Sequence, residues 1–110
     1  RGSDCGGEIS FGGVKMPALW IAHVTVTNPE PYAKYAELAG PAIAAHGGEF
    51  IARGARFVQL EGKERPRNVV ARFPTLEAAV ECYNSDAYQD ALTHAKGASE
   101  RELMVVEVSE

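Results

Sequence analysis

A chain of 110 residues with 45% hydrophobic and 24% charged content has the make-up of one globular domain, with a single core and little to spare. Its net charge of −4 at pH 7 argues against nucleic acid or an anionic membrane as partner, because both select a basic face. No stretch approaches the roughly 18 apolar residues of a membrane span.

Residues 1–15 are glycine-rich, with only Ile9, Phe11 and Val14 as apolar anchors, and they lack the apolar core of a signal peptide. They read as a terminal tail, either a native extension or tag-derived, with an added edge strand as the alternative. The domain is placed at residues 16–110. The two cysteines, Cys5 in this tail and Cys82 in a helical pattern, read as free thiols of a reducing compartment, the cytoplasm.

Residues 18–27 alternate as a strand. Trp20, Ala22, Val24 and Val26 make an apolar face, and Leu19, Ile21, His23, Thr25 and Thr27 make the other, polar beyond Ile21. Asn28 can cap a helix with Pro29 at its first position, where a missing N–H costs nothing. Tyr32, Tyr35, Ala36, Ala39 and Ile43 form one helical stripe, and Pro41 within it predicts a kink or a division. Gly47 or Gly48 ends the helix, since glycine tolerates the positive φ of a helix terminus.

A second strand follows, expected to bend at Gly54 and carrying Arg53, Arg56 and Glu61 inside an apolar run. Residues 63–67 make a charged turn, and residues 68–73 a third strand. Thr75 can cap a second helix with a stripe of Leu76, Ala79, Val80 and Tyr83. Asn84-Ser85 interrupts it, Ser85 caps a continuation through Tyr88, Ala91, Leu92 and Ala95, and Gly97 ends that. Residues 103–108 make the last strand. The order β-α-β-β-α-β predicts an α+β, ferredoxin-like four-stranded antiparallel sheet with helices on one face. The first and last strands are largely apolar on both faces, so the bare side of the sheet also wants cover. A second copy supplies it most simply, giving a homodimer built as an α/β barrel.

Several short motifs then stand in one register: His46-Gly47-Gly48, Ala52-Arg53-Gly54, Leu60-Glu61-Gly62, Arg65-Pro66-Arg67, Phe73-Pro74 and the run from Tyr83 to Gln89. In these, in the opening Trp20-Ile21-Ala22-His23-Val24 and in the pair Tyr32 and Tyr35, the chain resembles the domain-of-unknown-function 1330 family over about residues 18–108. The resemblance implies the dimeric α/β-barrel superfamily, which includes cofactor-free monooxygenases, small isomerases, haem-degrading enzymes and proteins with no known reaction. It implies no activity of its own. The chain departs from the pattern at Ala55, where a second glycine is usual, at Arg72 in place of a glutamate, and at Cys82 in place of a tryptophan. It also lacks an arginine late in the second helical segment, with Lys96 the nearest cation.

The candidate chemistry is sparse. His23 beside Thr25 could act as a general base near neutral pH, or be a hydrogen-bonded strand histidine. The three histidines share no metal-ligand spacing, so no metal site is expected. Arg53, Glu61, Arg65 and Arg67 could converge on a ligand carboxylate or could form an internal ion-pair network. Tyr32, Tyr35, Tyr83 and Tyr88 stand at core spacing, and a phenol among them that faces a cavity could donate to a ligand. Cys82 has no cation nearby in sequence to activate it. Two readings follow. One is a cofactor-independent enzyme or binder of a small carboxylated or aromatic metabolite, with His23 and Tyr35 catalytic and Arg53, Glu61 and Arg67 binding. The other is a non-catalytic homodimeric module in which the same residues lock an interface.

Overall fold

The computed structural model describes residues 16–109, so the expectations for residues 1–15, Cys5 among them, lie outside the described residues. The order is β1 (Ala18–Val26), α1 (Pro29–Ala45), β2 (Glu49–Arg53), β3 (Arg67–Phe73), α2 (Leu76–Asn84), α3 (Asp86–Ala95) and β4 (Ser99–Glu107). The strands form one antiparallel sheet in the order β2-β3-β1-β4, the ferredoxin-like arrangement expected from the pattern.

Strand parity sorts the side chains. Trp20, Ala22 and Val24 of β1 lie opposite Ala71, Val69 and Arg67 of β3, and opposite Val105, Leu103 and Arg101 of β4. This face carries the core under the helices. Trp20 is buried at its centre, within 5.2 Å of the Tyr88 ring and 5.6 Å of the Phe73 ring. Burying aromatics of this size dominates the energetics of a small core.

Local signals set the helix ends. Pro29 opens α1 in the position where a missing N–H costs nothing, and Asn28 is extended before it, although its side chain makes no capping bond. Thr75 accepts from the Ala78 N–H at 3.0 Å and Ser85 accepts from the Tyr88 N–H at 3.2 Å, starting α2 and α3 as their caps. Gly47, at φ 85°, ends α1 with its N–H on the Ala44 carbonyl at 3.0 Å.

Three expectations change. α1 runs from Pro29 to Ala45 without division at Pro41, because packing of its buried stripe outweighs the one hydrogen bond that proline removes. The second strand stops at Arg53, and Gly54 at φ 69° turns the chain out of the sheet rather than bending a continuing strand. The last strand begins at Ser99, four residues before the apolar alternation starts, because pairing with β1 continues through Glu102, Arg101, Glu100 and Ser99.

Between β2 and β3 the chain forms no regular element and is largely exposed. Arg65 is its anchor, 8% exposed, donating to the Thr25 hydroxyl at 2.9 Å and to Glu100 at 3.1 Å, with Glu102 3.6 Å away.

Candidate functional site

A cleft opens between α1 and the helix-bearing face of the sheet. Its walls are apolar where Trp20, Ala39, Ile43 and Phe50 line it, and its polar lining is Tyr32, Tyr35, Arg53, Arg67 and Arg101. Its empty volume is about 410 Å³ including solvent at its mouth, but it is narrow, with room for only about one or two waters at its centre.

Each polar side chain arrives by a simple rule of geometry. Tyr32 and Tyr35 stand one helical turn apart on α1, with ring centroids 5.0 Å apart. Arg67 and Arg101 flank Val24 on the two strands beside β1, in register on one face. Arg53 needs a further device. The register of β2 against β3 slips between Phe50 and Ala52, so Phe50 pairs with Ala71 while Arg53 pairs with Val69. That extra residue is a bulge, and it turns Arg53 to the same face as Phe50 when plain alternation would send it to the other.

The guanidiniums lie on aromatic rings. Arg101 is 4.7 Å above Tyr35, Arg67 is 5.9 Å from Tyr32, and Arg53 is 4.4 Å above Phe50. Arg101 also donates through Nη2 to the Tyr35 hydroxyl at 2.9 Å and the Tyr88 hydroxyl at 3.0 Å, and those hydroxyls are 2.7 Å apart. The buried Nε atoms of Arg67 and Arg101 have no partner among the described residues. No carboxylate of the described residues pairs with Arg53, Arg67 or Arg101, the only ion pairs there being those of Arg65.

Burial, followed by the neighbouring Tyr88, pushes the Tyr35 phenol far above its ordinary range. Burial also raises Tyr88, against the pull of Arg101. For Arg101 burial opposes the charge, but Tyr35 and Tyr88 outweigh it and its pKa ends above the usual value. The site therefore holds neutral phenols and a charged guanidinium.

Of the residues singled out from sequence, the structure brings together Tyr35, Arg53 and Arg67. His23 lies on the opposite face of the sheet, exposed, donating from Nδ1 to Asn68 at 2.6 Å. Glu61 lies in the exposed connection before β3, and Arg65 lies against Thr25, away from the cleft. Arg101 was missed, because Ser99, Glu100, Arg101 and Glu102 carry no apolar alternation. The available signal was parity, since Arg101 is two residues before Leu103 and four before Val105. Among the described residues no cluster of His, Cys, Asp or Glu could hold a metal ion. No helix of the described residues is long and apolar enough to cross a membrane.

A family model described as "Domain of unknown function (DUF1330)" matches residues 17–109. No curated protein matches the sequence. Among solved structures, a protein of unknown function from Rhodopseudomonas palustris is 22% identical, with a TM-score of 0.72 over 88% of this chain and 85% of that one. A cofactor-independent oxygenase from Streptomyces nogalater, SnoaB, is 12% identical with a TM-score of 0.62, over 86% of this chain and 95% of that one. A hypothetical protein from Arabidopsis thaliana is 10% identical with the same TM-score of 0.62, over 87% and 91%. These likenesses are of fold.

Proposed function

This chain belongs to the DUF1330 family, and from that premise we propose that it binds a small organic anion, a carboxylate, in the cleft under α1. One observation carries the reading: Arg53, Arg67 and Arg101 share a partly enclosed cleft with two tyrosines and no pairing carboxylate among the described residues. The half-buried guanidiniums of Arg67 and Arg101, each with a buried unpartnered Nε, gain from an anion, and their planar donors match a carboxylate in bidentate fashion. The apolar walls would take the remainder of the ligand.

Binding is favoured over proton-transfer catalysis because every polar side chain lining the cleft is a donor or a neutral phenol. His23, the general base expected from sequence, and Glu61, expected there as a binding residue, do not reach it. Any chemistry there would act by stabilising negative charge on the ligand. The protein in this reading is a homodimer of the cytoplasm.

A thermal-shift screen of small carboxylates tests the proposal. A ligand at ten times its Kd stabilises by about 1.4 kcal/mol. That should raise Tm by several degrees. The shift should vanish in Arg101→Gln. No shift from any carboxylate at tens of millimolar would overturn the reading.

A further inference from the structure

We propose that the cleft selects carboxylates that carry no amine, rejecting amino acids in favour of their amine-free counterparts; this rests on the carboxylate reading above. Protons outnumber acceptors at the closed end of the cleft.

Tyr35 and Tyr88 bring two hydroxyl protons. One is used in the bond between them, and Arg101, which only donates, gives Nη2 protons to both oxygens. The second hydroxyl proton therefore has no acceptor among the described residues. Tyr88 is fully buried and does not line the cleft, whereas Tyr35 does. A buried donor without a partner is costly, so Tyr88 donates to Tyr35 and the spare proton is the one Tyr35 turns to the cleft. The Nε–H of Arg101 is a second spare donor, and the Nε–H of Arg67 a third.

The closed end thus offers donors and positive charge. Its only side-chain acceptors are phenol oxygens, and Arg101 already occupies that of Tyr35. A carboxylate satisfies this end, accepting from Tyr35 and Arg101 at once. An ammonium on the neighbouring carbon would have no side-chain carboxylate, imidazole or amide of the lining to donate to. It would also sit beside the half-buried guanidiniums of Arg67 and Arg101, and a poorly solvated like-charge contact is unfavourable. An amide in place of the acid keeps one acceptor, loses the charge and brings two donors to a site that wants none. The narrow interior favours a short or slender acid over a bulky one.

Matched probes test this: butyrate against 2-aminobutyrate and butyramide, and 3-phenylpropanoate against phenylalanine. Each is titrated into ¹⁵N-labelled protein while the arginine Nε–H signals are followed, the Arg101 signal being assigned by its loss in Arg101→Lys. The acids should bind at least tenfold tighter than their amine-bearing or amide counterparts and should shift the Arg101 signal. Tyr35→Phe should weaken acid binding about tenfold while the Arg101 signal stays dispersed. Equal affinity for acids and amino acids, or acid binding that leaves the Arg101 signal unmoved, would overturn the selectivity and leave the carboxylate reading standing. The selectivity also falls, alone, if other carboxylates stabilise the protein in the thermal screen while all these probes fail. Failure of both experiments would overturn the two together.

Discussion

At the scale of single residues, the chain combines groups held neutral by burial with cations left unpaired. Cys82 shows the first plainly. Its thiol is fully buried, lies 3.7 Å from the Ala42 carbonyl, and burial pushes its pKa from 9.0 up to about 11. A raised pKa means that the folded state holds the proton longer than the unfolded state. Stability from this group is therefore complete below pH 9 and is lost as pH rises from 9 through 11. Urea melts between pH 9 and 10 should show a falling free energy of unfolding, and Cys82→Ala should flatten that slope whatever its effect on the plateau. Tyr35 and Tyr88, whose ordinary value is 10.0, add to the decline mainly at and above pH 10, so the difference between wild type and Cys82→Ala in the lower window reads the thiol. Gly48 is constrained by space. A Cβ there would collide with Cγ2 of Ile43 and lie 2.7 Å from Phe73 and 2.9 Å from the Ile43 carbonyl, which is backbone and cannot swing aside. Gly48→Ala should cost roughly 1–3 kcal/mol, read as a Tm lower by several degrees. An unchanged Tm would mean that the turn after α1 yields freely.

Among the elements, β2 shows how one inserted residue changes a site. The bulge between Phe50 and Ala52 sets Arg53 on the cleft side, at its mouth, where the side chain stays exposed and rests on Phe50. Because no Glu61 carboxylate pairs with it, Arg53→Ala should change stability by no more than about 0.5 kcal/mol in urea melts. Carboxylate affinity should still fall, by a factor that shrinks as salt is added, since an exposed charge is screened. A stability loss of several kcal/mol would reveal a buried partner instead. The sequence pattern was sufficient for the ends of α1 and for α2, α3, β1 and β3, where apolar periodicity coincides with caps at Thr75 and Ser85 and with Pro29 at the start of α1. It failed where backbone pairing runs past the apolar residues. The first half of β4 is Ser-Glu-Arg-Glu, held by its ladder with β1, so Arg101 could not be recognised from hydrophobicity. Likewise Gly54 was legible as a special position, but whether it bends a strand or ends one depends on what β3 can pair with. The convergence of Tyr35, Arg53 and Arg67 was legible by residue type. The exclusion of His23 follows from β1 parity, because an odd position cannot share the face of Trp20 and Val24.

For the whole molecule, the decisive feature is that all three helices cover one face of a four-stranded sheet. Leu19 and Ile21 of β1, Val70 of β3 and Met104 and Val106 of β4 share the other face by register. Met104 is 52% exposed and Val106 41% exposed, and Val58 and Leu60 of the β2–β3 connection add apolar surface that is barely covered. Scattered apolar side chains are ordinary on a protein surface, but a contiguous strip across three neighbouring strands is the kind of patch that marks an interface. The polar end of the same face is already closed by Arg65 on Thr25, Glu100 and Glu102, which leaves the apolar end as the part without a partner. A second copy related by a two-fold axis would set this strip against itself, like against like, without burying charge at its centre. The cleft under α1 opens on the other side of the sheet, so such pairing would leave its mouth clear. Light scattering and sedimentation at micromolar concentration should therefore report a dimer. Met104→Asp, which would place two carboxylates within a desolvated strip, should shift it to monomer while hardly altering far-ultraviolet circular dichroism. A wild-type monomer under these conditions would sink the dimer, and a Met104→Asp dimer would move the interface away from this face.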